Sequence, residues 1–367
     1  MTERSSSDVT RDGLQGVRPD RDALTGVATG KQGGLRGGHD GRGNQQRTHA
    51  NGRRGGRRRG QGDGAPTVPE AEFTSYYDLP VINKPVWSSP DIPGYLFLGG
   101  LAGAASLLGA GAQATGRPAL SRVSKAGAFS AGVLSLVGLV HDLGRPARFL
   151  HMLRVFKVTS PMSVGSWILA GYVPLTGIAA ASSLSGRAPK IGMAATAGSA
   201  LLGPAVASYT AALISDTAVP AWHDGYPEMP FVFVGSGATA AAGLGLLGAP
   251  VSQTGPALAM AVFGVGTELA AFERMERRIG MTAEPYSQGR GGGYVRAGKI
   301  LSAVGLAGAL LGSRNRVLSA LSGAALIAAS AATRWGIFHA GMQSATDPKY
   351  TVVPQRERLR AAESERG

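Results

Sequence analysis

The sequence predicts an all-α membrane protein: a polytopic bundle of about eight transmembrane helices behind a disordered basic N-terminal tail. Three observations carry that expectation. From about Ile92 onward, apolar residues come in blocks of about 20. A helix rising about 1.5 Å per residue needs that length to cross a hydrocarbon core of about 30 Å. The blocks are rich in Ala, Gly, Leu and Val, and small residues let helix backbones approach closely in lipid. The first 70 or so residues are instead polar, Gly/Arg-rich and nearly free of apolar clusters. Such a stretch buries too little apolar surface to offset the entropy lost on ordering.

These shifts divide the chain into a Gly/Arg-rich tail over 1–75, a transmembrane domain over 76–345 and a polar C-terminal tail over 346–367. The tail stretch RGGHDGRGNQQRTHANGRRGGRRRGQGDG looks like an RGG-type nucleic-acid segment, but it lacks aromatics to stack on bases. It reads as a basic chain close to membrane lipids, with no specific nucleic-acid partner. No apolar core with a small-residue cleavage site opens the chain, so a secretory signal is not expected. The chain has no cysteine, which excludes disulfides, thiol nucleophiles and an iron–sulfur cluster ligated by its own cysteines.

The apolar segments lie near 92–113, 124–142, 163–183, 191–214, 229–248, 256–273, 297–313 and 316–338. The sixth and seventh are shorter, and Glu268 interrupts the sixth, so seven or nine helices also fit the pattern. Ser160 followed by Pro161 predicts the start of the third helix, with a serine cap and proline at the first helical position. With eight helices both termini share one side. That side would carry the basic tail, Arg145, Arg148, Arg154 and Lys157 between segments two and three, and Arg274, Arg277, Arg278, Arg290 and Arg296 between six and seven. The C-terminal segment there adds Arg334, Lys349, Arg356, Arg358, Arg360 and Arg366. The opposite loops are short and carry Arg117, Arg122, Arg187, Lys190, Arg314 and Arg316. The bias predicts a multi-pass protein of the plasma membrane with both termini in the cytoplasm. The loop over 215–228, with no Lys or Arg, runs against the trend.

Segments two and four run in the same direction, so their C-terminal ends emerge at one face. That gathers His141, Asp142, Asp216 and His223 there, and Glu268 and Glu273 on segment six descend toward the same face. An acid within a span costs about 3 kcal/mol and usually faces a bundle interior or cavity; Asp216 and Glu268 are the best examples. A quinone needs an apolar slot, polar contacts for its carbonyls and groups that exchange protons. A histidine paired with a carboxylate suits that exchange, and Tyr209 and Trp222 are placed to bound the head group. The alternatives stay open on spacing alone. His141 and Trp222 also fit ordinary interfacial roles. The stretch GRPARFLHMLRVFK also fits a basic amphipathic turn on the membrane, with Phe149, Leu150, Leu153 and Phe156 at helical spacing. It fits a docking face for a soluble subunit equally well. Haem is not expected. The six histidines are His39 and His49 in the tail, His141, His151 and His223 at helix ends or loops, and His339 after the eighth segment. None forms the interior pair that holds haem iron.

The stretches INKPVW, PDIPGYLFLGGLAGAASLL, DLGRPARFLHMLRVFKVTSPMSVGSWIL and YTAALISDTAVPAWHDGYPEMPFVF together resemble the NrfD/PsrC family, the membrane subunits of polysulfide reductase and related complexes. The similarity is read over roughly 76–345 and leaves out the basic tail. It implies an eight-helix anchor that exchanges electrons with menaquinone or ubiquinone without haem. It also implies two partners, a ferredoxin-like iron–sulfur subunit and, beyond it, a molybdopterin catalytic subunit, as in polysulfide reductase or formate dehydrogenase-like systems. The chain would then be a quinone-site or non-catalytic subunit of an oxidoreductase, with no cluster of its own. The positions matching the family's quinone placement are His141, Asp142, Arg145, Tyr209, Asp216 and His223. Arg148, Arg154 and Lys157 would dock the iron–sulfur partner. Two rivals remain: a transporter or ion-translocating subunit using Asp216, Glu268 and Glu273, and a purely structural anchor. Many relatives face their catalytic subunit outward, whereas the charge bias here puts the motif-bearing side in the cytoplasm.

Overall fold

The structure, a computed structural model, describes residues 80–145, 147–312 and 314–366, together with Val9–Thr10 and Gly13–Leu14. Val9–Thr10 (β1) and Gly13–Leu14 (β2) pair as a two-residue antiparallel ladder. The remainder of the tail expected over 1–75 lies outside the described residues.

The described chain from 80 onward is helical, with eight helices long and apolar enough to cross a membrane. They are α1 (Asp91–Ala114), α2 (Pro118–Asp142), α3 (Pro161–Ser185), α4 (Pro189–Ser215), α5 (Met229–Gly248), α6 (Gly255–Ile279), α7 (Gly289–Leu311) and α8 (Arg316–Thr346). A further long helix, α9 (Lys349–Arg366), occupies what the sequence marks as a polar tail. Its start is fastened to the bundle by Glu284, which accepts from Lys349 Nζ at 2.7 Å and Tyr350 Oη at 3.2 Å. That contact holds the Lys349 ammonium well above the usual lysine range.

Each expected segment is found, and the differences lie at the ends. α7 begins at Gly289 rather than near 297, and α8 continues to Thr346 rather than stopping near 338. Hydropathy marks where a helix is apolar, not where its hydrogen-bond ladder ends, so polar turns extend each helix past its greasy stretch. His339, placed after the eighth span by sequence, and Arg334, counted there with the C-terminal charge, are both inside α8. His339 stacks on Tyr294 at 5.6 Å, and Arg334 is wholly buried, so it adds nothing to the loop charge.

The helix ends show why the chain turns where it does. Ser160 caps α3 by accepting from Ser163 N at 3.4 Å, and Pro161 takes the first helical position. Asn315 caps α8 by accepting from Val317 N and Leu318 N at 2.9 and 3.2 Å. Such a cap satisfies amides that have no carbonyl one turn back. α2 has no local cap; Gln253 Oε1 accepts from Ala119 N at 2.8 Å and Leu120 N at 3.3 Å.

α1 and α5 occupy the interior. α1 packs against α2, α4 and α5, and α5 packs against α1, α6 and α8. Small residues permit this: a side chain at Gly103 of α1 would run into Gly203 O and Ala207 of α4. Van der Waals contact between close backbones replaces the hydrophobic drive that lipid cannot supply. The outer faces keep their large apolar residues exposed, among them Leu201 and Leu311, as a lipid-facing surface requires.

Candidate functional site

Helices alternate in direction through the connected bundle, so the C-terminal ends of α2 and α4 share an end with the N-terminal ends of α1, α3 and α5. At that end a cavity of about 610 Å³ opens beside α4. Its apolar wall includes Val158, Pro161, Val164, Ala212 and Pro230, and its polar groups are Tyr209, Ser215, Asp216, His223 and Tyr226, with Thr159. That size and mixture suit a small ring compound with an apolar tail.

Tyr209 is nearly buried and shares a hydrogen bond with Tyr95 of α1 through their hydroxyls. Its ring lies on Gly165 of α3, where a Cβ would collide with it, so Tyr209 reaches the cavity because that position is glycine. Ser215 Oγ is buried and has no hydrogen-bond partner among the described residues, although it lines the cavity. An orphaned hydroxyl at such a wall is a polar contact left for a ligand. His223 Nδ1 lies 3.1 Å from Ser215 O. A carbonyl oxygen only accepts, so Nδ1 carries the hydrogen and the neutral ring leaves Nε2 as an acceptor. Asp216 follows α4 directly, its amide donating to Ala212 O at 2.9 Å, and its carboxylate is exposed.

The sequence-identified residues separate into two groups at this end. Tyr209, Asp216 and His223 come together in the cavity; His141, Asp142 and Arg145 do not line it. His141 Nδ1 sits 2.9 Å from Asp91 Oδ2 at the head of α1 and is 75% exposed. Asp142 Oδ1 accepts from Ser88 N at 3.1 Å, and the single Ser88 hydroxyl hydrogen is shared between Asp91 Oδ2 at 2.6 Å and Asp142 Oδ1 at 3.2 Å. This clasp joins the start of α1 to the end of α2. Trp222 does not bound the cavity. It is fully buried, donates Nε1–H to Ile337 O at 2.8 Å and stacks on Trp87 at 5.4 Å.

Arg145, Arg148, Arg154 and Lys157 are all exposed. The amphipathic turn is limited to a six-residue helix, Ala147–Met152. After it Val155 and Phe156 stay exposed, Phe156 resting edge-on against Trp167. Glu268 and Glu273 part company. Glu268 is buried among α5, α6 and α8, accepting from Thr333 Oγ1 at 2.6 Å and Thr239 Oγ1 at 3.4 Å. Glu273 is 61% exposed and pairs with Arg277 one turn on. Arg334, also in that interior, donates Nη2–H to Phe233 O at 2.7 Å and lies 3.7 Å over the Phe233 ring. No group of three metal-ligating side chains occurs among the described residues.

Sequence reasoning missed Tyr95, Ser215 and Tyr226 in the site and Asp91 in the clasp. Each lies within a motif stretch already singled out, one to four residues from a chosen position or, for Tyr95 and Asp91, at the head of α1. The signal was there, but which of these side chains meet depends on helix rotation.

Residues 80–254 match the family described as polysulphide reductase, NrfD. The match covers α1 to α5 and holds the cavity, the clasp and the basic loop; it ends before Glu268 and Glu273. No curated protein matches the chain.

Proposed function

We propose, from the premise that residues 80–254 belong to the NrfD family, that this multi-pass membrane anchor exchanges electrons between the membrane quinone pool and an iron–sulfur partner subunit, without haem. The observation that carries the reading is the cavity at the end of α4, where Tyr209, Ser215, Asp216 and His223 meet an apolar wall. A bound quinone supplies a two-electron, two-proton couple between paired carbonyls and paired hydroxyls. Ser215 Oγ–H and the Tyr209 hydroxyl provide donors for a carbonyl oxygen. His223, oriented through its Nδ1 bond to Ser215 O, presents Nε2 to take or return a ring-hydroxyl proton. The exposed Asp216 carboxylate passes that proton to water.

His141 and Asp142 act at the same end of the bundle, as a proton-exchanging pair beside the cavity rather than within it, and Arg145 holds a fixed positive charge next to them. Arg148, Arg154 and Lys157 offer an exposed basic face to a ferredoxin-like subunit, which connects to a molybdopterin catalytic subunit. Electrons pass directly between quinone and a partner cluster, since this chain has no cysteine to hold one.

The test uses the complex purified from membranes. His223→Gln and Asp216→Asn should each lower quinol-linked turnover by about 100-fold, within the usual span for a lost acid–base group. The partner's activity with a soluble electron donor should be unchanged. His141→Gln, at a group outside the cavity, should cost about tenfold less than either. Normal quinol turnover in both cavity variants would sink the assignment.

A second reading, proton or ion translocation, is favoured by one observation: Glu268 is a buried acid held by two threonines. Proton uptake by vesicles containing this chain alone, abolished in Glu268→Gln, would support it.

A further inference from the structure

We propose that the opposite end of the bundle carries a binding site for a phosphate group, occupied in the membrane by the headgroup of an anionic phospholipid. A cavity of about 260 Å³ lies where α1 and α3 end and α2 begins, with Gln113, Arg117, Arg122, Lys125 and Ser183 on its wall. Its described lining has three cations and no acidic side chain. Among the described residues none of the three is in an ion pair.

Lys125 is the central group. It is only 7% exposed, and its stem crosses α1 at Gly109, where an added Cβ would stand 3.2 Å from Lys125 Cγ. Its ammonium has three donors, and among the described residues its one hydrogen-bond partner is Gln113 Oε1. A buried cation lacking a counter-charge is costly, and the cavity beside it is where that charge fits. Arg117 is bound only weakly, to Thr115 O at 3.4 Å, and Arg122 is exposed. The first amides of α2 are already taken by Gln253, so the side chains, not the helix terminus, hold the anion.

Size and surroundings identify the occupant. The cavity falls below the about 300 Å³ at which pockets begin to enclose drug-sized ligands, which suits a phosphate and not a nucleotide. Phe129, one turn along α2 from Lys125, and Ile178 and Leu184 on α3 are exposed apolar side chains on the same two helices. They offer acyl chains a surface running inward from the charged end. A lipid has that arrangement: charge at the helix ends, hydrocarbon along the helices.

The full chain in detergent, stripped of lipid, can be titrated with phosphatidylglycerol, phosphatidylcholine and inorganic phosphate. Native mass spectrometry counts what is bound, and thermal denaturation follows alongside. One phosphatidylglycerol should be retained in preference to phosphatidylcholine. Its apparent affinity should fall about tenfold in both Arg122→Gln and Lys125→Gln, the scale of one charge-assisted contact. Arg122 is exposed, so its variant remains informative if Lys125→Gln does not fold. Stabilisation by inorganic phosphate equal to that by lipid would make a free anion the occupant and end the lipid assignment. Equal lipid retention by the wild type and both variants would overturn the site.

Discussion

Tyr209 stands in the cavity because residue 165 has no side chain. A methyl there would meet the ring itself, and the ring is also tied through its hydroxyl to Tyr95. Gly165→Ala must therefore move Tyr209 or part α3 from α4. We expect it to destabilise the protein by about 1–3 kcal/mol, the usual cost of overpacking, and to raise the KM for quinol, measured in the assembled complex. Unchanged KM and thermal stability would mean that the ring's position is unimportant. His223 and Ser215 show the same dependence on detail. One carbonyl fixes the imidazole's orientation, and the adjacent hydroxyl is left for a ligand. Arg334 illustrates how sequence alone misplaces a charge. The C-terminal charge count takes it as a loop cation, yet the arginine is enclosed by Phe233 and the α5 backbone.

At the scale of elements, α5 and α6 are clamped at the cavity end. Glu228, just before α5, accepts from Arg278 Nε at 2.8 Å and Arg278 Nη2 at 2.7 Å, and Arg274 approaches at 3.5 Å. Hydrogen bonds from Arg278 hold the Glu228 carboxyl below the usual carboxylate range. A group depressed in the folded state stabilises fully above its unfolded value, near about 4.3, and loses that contribution as pH falls through the folded one. Acid should thus lower the denaturation temperature of the wild type more than that of Glu228→Gln. At neutral pH that variant should be less stable by roughly 1–3 kcal/mol, less than for a fully buried pair because Arg278 is 40% exposed. Parallel pH profiles for the two proteins would refute the clamp. The eight spans were legible in the sequence because a helix in lipid satisfies its own backbone and announces itself by composition. The Ser160–Pro161 start was legible because its cap is local. The shared end of Asp216, His223, His141 and Asp142 followed from alternating helix direction alone. Alternation says which end a residue occupies, not which neighbour it faces, so the separation of His141 from the cavity had no sequence signature.

For the whole molecule, the eight spans require an even number of crossings between the start of α1 and the end of α8. The basic bias of the loops expects the cavity end to face the cytoplasm. Because the chain has no cysteine, single cysteines report cleanly on sidedness. In intact cells, a membrane-impermeant thiol reagent should label Arg187→Cys and spare Arg145→Cys and a cysteine placed at Glu363. The reverse pattern would turn the protein over and put the cavity beside α4 at the outer surface. Either way the cavity and the cationic pocket lie at opposite ends, so a lipid held at one leaves the other free.

The amides that open α2 are closed by Gln253, a residue 134 positions later than Ala119. During synthesis the second helix therefore waits, its first turn unfinished, until the fifth has been made. At about 5–20 residues per second that interval is roughly 7–27 s. Gln253 comes just before the end of the stretch that matches the family, so the five-helix block can be sealed while the last three helices are still being made.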